Sequence, residues 1–357
     1  MKGLQRFPNI FTLPNRKLRI KFGIDPTSDK LHLGHLIPLQ IVKEFKDRGD
    51  QIDIVIGTFT AQLGDPSGKN SMRPILSFNQ TLKNSESVIE QIKRILGNDV
   101  NIHLNHTWFE NMSMIEMMNL MSKFTVGNLL NRDSFQNRIK ESNPIGMHEL
   151  MVPILQGLDS VFLKSDVEIG GSDQLFNFKI SRELQVISGQ EPENCLLAPI
   201  INGTDGRKMS KTFNNCIFIN DTPQDVFGKC MSISDDTMEE WSQIFLIDST
   251  ITHPMLKKKK LAHKITHLIW GEDLANSAMN HFETVIQGRN IPDEMPETND
   301  RNLINVVKIL RNTSINQSRR LLESNAVKVN GEVVNSNIEL SIGDVVKVGK
   351  KDFVKIV

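Results

Sequence analysis

The chain contains no tyrosine. Aromatic residues make up 6% of its 357 positions and 18 of them are phenylalanine, so plain rings fill the aromatic volumes and any chemistry proceeds without a phenol of the protein's own. Cysteine is scarce as well: Cys195, Cys216 and Cys230 are odd in number and lack paired metal-ligand spacing, which favours neither a disulfide framework nor a zinc site and suits reduced thiols in the cytoplasm. Net charge is missing too. The 42 Lys and Arg balance 42 Asp and Glu, so there is no global basic field and binding to nucleic acid must come from local patches. Met1 to Phe11 carries charges and Pro8 where a signal peptide has an apolar core, and no stretch approaches a membrane span. What is present, 39% hydrophobic and 24% charged residues, is the composition of a packed globular protein of about two or three domains.

Two short words stand out. The first, His32-Leu33-Gly34-His35, follows the apolar run Leu18 to Ile24 and the turn-forming Asp25-Pro26-Thr27-Ser28-Asp29. It opens Leu36 to Phe45, whose apolar residues recur at helical spacing, so the histidines stand where a strand becomes a helix. A helix N-terminus has unpaired N–H groups and partial positive charge. Gly34 removes a side chain from the approach, and two imidazoles add donors for phosphate oxygens.

The second word is Lys208-Met209-Ser210-Lys211, preceded by Gly203, Asp205 and Gly206 on a polar loop after the apolar run Leu196 to Ile201. Loop lysines place mobile positive charge where a pentavalent phosphorus and a departing pyrophosphate develop negative charge. Either word alone equally suits a capped helix or a solvated loop; together, in this order, they describe a device for ATP phosphates.

Short apolar runs (Leu18 to Ile24, Ile52 to Ile56, Asn101 to Leu104, Leu196 to Ile200) alternate with helical patterns over residues 1–221, which predicts an α/β domain with an open parallel sheet and ligands at the carboxyl ends of its strands. Residues 222–301 read as a helical domain followed by a polar linker from Gly288 to Arg301, and the run Lys257 to Lys260 within it reads as a solvated face. Residues 302–357 begin helically, with Arg319 and Arg320 after Ser314. Two strand-like runs follow, Val327 to Gly331 and Asp344 to Lys351. Arg319, Arg320, Lys328, Lys347, Lys350 and Lys351 there predict a compact positive face suited to an RNA backbone.

In these words and in further blocks the chain resembles the class I aminoacyl-tRNA synthetases, and among them the second bacterial branch of the tyrosyl enzymes. The blocks are Phe22-Gly23-Ile24-Asp25-Pro26-Thr27, Leu63-Gly64-Asp65-Pro66-Ser67-Gly68, Leu155-Gln156-Gly157-Leu158-Asp159, Ile169-Gly170-Gly171-Ser172-Asp173-Gln174 and Gly171 to Asn177 with Arg182-Glu183-Leu184. The resemblance implies a Rossmann-like catalytic domain, a helical domain and a C-terminal S4-like α+β RNA-binding domain. It implies two steps: tyrosine and ATP give tyrosyl-adenylate, and the acyl group then passes to tRNA(Tyr).

By that resemblance His32, His35, Thr27, Lys208 and Lys211 are the catalytic set, acting on phosphates and pyrophosphate. Gly23, Asp25, Gly34, Gly171, Asp173, Met209 and Ser210 line the nucleotide. Lys21, Thr60, Asp65, Val152, Gln156, Asp159 and Gln174 line the amino acid, with Asp159 accepting from the substrate phenol and Asp65, Gln156 and Gln174 holding its ammonium group. Arg319, Arg320, Lys328 and Lys350 contact RNA. Magnesium accompanies ATP rather than a protein cage. The implied partners are tRNA(Tyr), tyrosine and a second copy of the chain, with no membrane and no DNA.

Four positions depart from the family pattern. Val152 and Leu158 stand where relatives have tyrosines, Lys21 where the main branch has a phenol-binding tyrosine, and Thr212 where serine is common. A paralogue that activates another aromatic acid, or a relative that retains RNA binding without catalysis, shares many of these residues. Intact histidines and lysines argue against the latter. The absence of tyrosine, extending even to Val152, predicts a chain whose translation does not depend on charged tyrosyl-tRNA.

Overall fold

The computed structural model describes residues 3–9, 13–63, 76–287, 295–349 and 352–357. They form two compact units, Met1–Gly271 and Glu272–Val357. The first is built on a sheet of β1 (Gln5–Phe7), β2 (Arg19–Ile24), β3 (Gln51–Ile56), β4 (Asn101–Leu104), β5 (Val167–Gly171) and β6 (Asn194–Ala198), in the spatial order β1-β6-β5-β2-β3-β4. Strands β2 to β6 run parallel, as their near-continuous apolar sequences require of strands covered on both faces. The edge strand β1 runs antiparallel to β6, a strand the sequence pattern did not announce because Gln5 and Arg6 are exposed. β2 has β3 on one side and β5 on the other, so the strand order reverses there and opens a crevice at the carboxyl ends.

Helices α1 (Leu33–Asp47), α2 (Thr60–Leu63), α3 (Phe78–Leu96), α4 (His106–Phe109), α5 (Met114–Met121), α6 (Val126–Leu130), α7 (Asp133–Lys140), α8 (Met147–Leu163) and α9 (Leu175–Ile187) follow in the chain. α1 begins on His32, whose extended backbone caps it, and buries Leu33, Leu36, Ile37, Leu39, Ile41 and Val42. α8 lies close on α9 because Gly157 has no side chain: a Cβ there would stand 2.7 Å from Leu184 Cδ1 and 3.0 Å from Ser181 Cα. Phe109, Phe124, Phe135, Leu155 and Leu158 fill the core beneath, rings without hydroxyls and aliphatic side chains that need no buried partner.

The helices α10 (Pro223–Met231), α11 (Asp235–Ile244) and α12 (Pro254–Trp270) pack through Val226, Phe227, Trp241, Leu261 and Ile265. The lysine run is partly engaged there: Lys257 pairs with Glu239 at 2.5 Å and Lys258 with Asp235 at 3.0 Å. Among the described residues no helix is long and apolar enough to cross a membrane.

The second unit holds α13 (Glu272–His281), β7 (Glu297–Thr298), α14 (Leu303–Arg311), α15 (Ile315–Glu323), β8 (Val327–Val329), β9 (Glu332–Val333), β10 (Val345–Val348) and β11 (Asp352–Ile356). Its sheet has the order β7-β11-β10-β8-β9. Leu303, Val306, Val307 and Leu322 of the two helices pack on Val327, Val346, Val348, Val354 and Ile356 of the strands. Glu297–Thr298, within the stretch read from sequence as linker, pairs in parallel with β11 instead. A two-residue strand is too short to show a period of two, so its pairing was hidden.

Candidate active site

The crevice is a cavity of about 400 Å³, within the range of small-molecule sites. Of the residues singled out from sequence, Gly23, Asp25, Thr27, His32, Gly34, His35, Thr60, Val152, Gln156, Asp159, Gly171, Asp173, Gln174, Lys208, Met209 and Lys211 line it. Ser210 lies in the same loop and donates its backbone N–H to Asn215 Oδ1 at 2.8 Å. Asp65 and Lys350 lie outside the described residues.

The histidine end is defined by two backbone bonds. Gly34 N–H donates to His32 Nδ1 at 3.1 Å, and His32 N–H donates to His35 Nδ1 at 3.2 Å, a reciprocal cap on α1. With Nδ1 accepting in both rings, each neutral imidazole carries its proton on Nε2, a donor left for a ligand. Burial, the facing ring and Lys211 lower the His32 pKa to about 2, while burial and Lys211 lower that of His35 to about 4, so both act as neutral donors at pH 7. A Cβ at Gly34 would sit 3.0 Å from the His32 ring, whereas one at Gly23 would meet nothing within 4 Å. The first glycine thus lets the cap close, and the second leaves open room on the cavity wall.

The lysine loop is held in shape from behind. Gly203 N–H donates to the Arg207 carbonyl at 2.7 Å, and Asn215 Nδ2 donates to Asp205 Oδ1 at 2.7 Å. The bond from Asn215 and the neighbouring Arg207 draw the Asp205 pKa down to about 2. The preceding Asn202 is bound by Glu240, at 2.9 Å from its Nδ2, and by the Trp241 indole, at 3.2 Å from its carbonyl, so α11 anchors the loop. Lys208 and Lys211 themselves remain exposed, and Lys211 Nζ reaches the Lys30 carbonyl at 3.0 Å across the cavity mouth. Partial desolvation of its ammonium against the cavity mouth lowers the Lys211 pKa.

Deeper in, Asp159 is 4% exposed and both its oxygens face donors: Trp108 Nε1 at 3.0 Å from Oδ1 and Asn105 Nδ2 at 3.5 Å from Oδ2. Burial pushes its carboxyl up to about 7, against the pull of Lys21 and Trp108. Asn105 also donates to Thr60 Oγ1 at 3.2 Å, and Thr60 donates to Asp25 Oδ1 at 2.7 Å, a polar line from one end of the cavity to the other. Gly57 is part of it, because a Cβ there would fall 1.9 Å from Asp25 Oδ1. Asn177 Nδ2 donates to Oε1 of both Gln156 and Gln174, 2.8 Å each, and so fixes the two amides side by side. Asn105, Trp108, Gly57 and Asn177 were not assigned roles from sequence. Of these only Asn177 stood in a quoted motif; the others reach the site through pairings over tens of residues.

Lys21 requires correction. It is fully buried and does not line the cavity; its ammonium donates to the Ser160 hydroxyl at 2.7 Å and the Gln156 carbonyl at 2.9 Å and pairs with Glu168 at 2.8 Å. Burial acts against its charge, but Glu168, Glu193 and Asp159 outweigh it and raise the pKa. Val152 is buried and presents only methyl groups to the cavity.

In the second unit Arg319 and Arg320 are exposed on α15 and Lys328 is exposed on β8, directly opposite Lys347 on β10. Like charges opposed on a sheet repel, which an anionic ligand relieves.

The family model for class I tRNA synthetases (W and Y) matches residues 13–287, and that for the S4 domain matches residues 301–346. The chain is 37% identical to a tyrosine–tRNA ligase of Dehalococcoides mccartyi (97% of this chain, 93% of the relative). It is 38% identical to one of Thermotoga maritima (95% and 90%) and 39% identical to one of Aquifex aeolicus (96% and 92%). Among solved structures, a C-terminally truncated mitochondrial tyrosyl-tRNA synthetase of Aspergillus nidulans shares the fold at TM-score 0.62 and 18% identity, over 75% of this chain and 86% of that one. A tyrosyl-tRNA synthetase of Archaeoglobus fulgidus complexed with L-tyrosine does so at TM-score 0.58 and 19% identity, over 74% and 90%.

Proposed function

Since the chain belongs to the class I tRNA synthetases of the W and Y family, we infer that it is a tyrosine–tRNA ligase working in the cytoplasm. The observation that carries the reading is one cavity with two unlike ends. Neutral imidazole donors and exposed lysines stand at the mouth, and a buried carboxylate held by an indole and an amide stands inside.

ATP lies with its phosphates over the N-terminus of α1. His32 and His35 give Nε2–H donors, Thr27 reaches the γ-phosphate, and Gly23 and Gly171 leave its path clear. Asp25, Gly34, Asp173, Met209 and Ser210 line the nucleotide. Tyrosine enters with its phenol donating to Asp159 and its ammonium near Gln156, Gln174, Thr60 and Asp65. Its carboxylate oxygen attacks the α-phosphorus, the bond to the β-phosphate oxygen breaks, and pyrophosphate leaves under Lys208 and Lys211. A hydroxyl of the terminal adenosine of tRNA(Tyr) then takes the acyl group and AMP departs. No side chain becomes covalently attached; the protein positions reactants and stabilises growing charge. Among the described residues no cluster of three or more His, Cys, Asp or Glu is placed to cage a metal. Magnesium would accompany ATP and neutralise phosphate charge.

The exposed arginines and lysine of the S4 domain, with Lys350, hold the tRNA backbone. A second copy of the chain covers α5, which packs the half-buried Met117 and Leu120 on one side yet exposes Met114, Ile115 and Met118 on the other. Charging of tRNA(Tyr) with labelled tyrosine tests the function. Acyl-tRNA that forms with ATP and tyrosine and fails with either omitted is the expected outcome; no acylation of tRNA(Tyr) would reject it.

A further inference from the structure

Helix α8 brings two polar side chains to the cavity, Gln156 and Asp159, and the turn that holds them is gripped from below. Lys21 Nζ meets the Gln156 carbonyl and the Ser160 hydroxyl, the two ends of that turn, while Glu168 holds the same ammonium at 2.8 Å. β2 and β5 pair in parallel register at Lys21 and Glu168, so the ion pair crosses between neighbouring strands. Ser160 Oγ in turn donates to Glu193 Oε1 at 2.9 Å, and Glu193 also accepts from Ser165 and, through its carbonyl, from Arg182. Lys21, Ser160, Glu168 and Glu193 are all buried, leaving the group no freedom to wander. Trp108 and Asn105 hold the oxygens of Asp159 at the other end, so that carboxylate is fixed at its tip by two donors and at its root by the gripped turn.

We propose that Lys21 is the positioning residue for side-chain selectivity: by tying the Gln156–Ser160 turn of α8 to β2 and β5, it sets the direction from which Asp159 meets the ring hydroxyl of the substrate. The proposal rests on the tyrosine reading of the cavity. Hydrogen bonds weaken steeply with angle, and a displacement of 1 Å in a site can cost about 10²-fold. Phenylalanine has no hydroxyl and is indifferent to where Asp159 points. Loosening the turn therefore costs tyrosine more than phenylalanine, whereas general damage to the fold costs both alike.

The test is pyrophosphate exchange with tyrosine and with phenylalanine, on the full chain and on Lys21→Met, Ser160→Ala and the paired Lys21→Met/Glu168→Gln. The paired variant removes both charges of the ion pair, so it does not leave Glu168 as a lone buried carboxylate. For the Lys21 variants the expected result is a tyrosine KM raised about tenfold or more, a smaller change in kcat, and a fall of about tenfold in the ratio of kcat/KM for tyrosine over phenylalanine. Ser160→Ala should move the ratio the same way by less. An unchanged ratio in folded variants, or no folded variant at all, would make Lys21 a purely structural ion and overturn the proposal. If the unaltered chain shows no tyrosine-dependent exchange, it is the tyrosine reading that fails instead.

Discussion

Replacing His35 with alanine removes one neutral donor from the N-terminus of α1. In the intact protein its Nδ1 is occupied by the His32 N–H, and its pKa of about 4 keeps it uncharged, so what it offers the α-phosphate is a single Nε2–H bond. That bond strengthens as negative charge collects on the phosphorus oxygens. Loss of one preorganised donor of this kind costs about 2.7–4 kcal/mol, a fall of about 10²–10³ in kcat. The same change orphans the His32 N–H at the helix cap, for a further cost of about 0.5–2 kcal/mol in stability rather than catalysis. Pyrophosphate exchange at saturating tyrosine gives the first number, thermal melting the second, and equilibrium dialysis the tyrosine affinity. The affinity should hold, because Asp159, Gln156 and Gln174 do not touch His35. Loss of tyrosine binding in step with kcat, or a kcat near that of the intact enzyme, would refute the assignment of His35 to the phosphates.

Asp159, with its pKa raised to about 7 by burial, accepts from the phenol more strongly when ionised, so tyrosine KM should rise as pH falls below about 7 and Asp159→Asn should abolish that dependence. The linked stability has the opposite sense: the free enzyme keeps the proton that the unfolded chain releases above about 3.9, so its stability declines from there to about 7 relative to the asparagine variant, which melting against pH will show or deny. Deleting residues 295–357, which removes the whole five-stranded sheet, should spare tyrosine activation while sharply weakening tRNA charging; normal charging by the truncated chain would leave the S4 domain without a role. With no tyrosine codon to read, synthesis of this chain should continue when tyrosyl-tRNA is depleted, and stalling equal to that of a tyrosine-containing control would dismiss selection as the cause of the absence.

The histidine and lysine words were legible because their meaning is local. A strand, a turn and a helix start lie within about twenty residues of one another, and the cap that fixes the imidazole tautomers joins residues two and three apart. The α11 anchor of the lysine loop was not, since Glu240 and Trp241 meet Asn202 across 38 and 39 residues. Asp159 was singled out by resemblance, but its partners were invisible: Trp108 in α4 and Asn105 just after β4 are 51 and 54 positions away. Lys21 shows the limit from the other side. Position in the family pattern placed it on the substrate ring, and only the burial of Glu168 and Ser160 beside it reveals where its ammonium is held.

The central claim is tested most directly by ATP–pyrophosphate exchange run separately with each standard amino acid. The account predicts exchange with tyrosine, and a far weaker response to phenylalanine because only tyrosine brings a hydroxyl that donates to Asp159. Equal exchange with phenylalanine, preference for another amino acid, or none with any would contradict it.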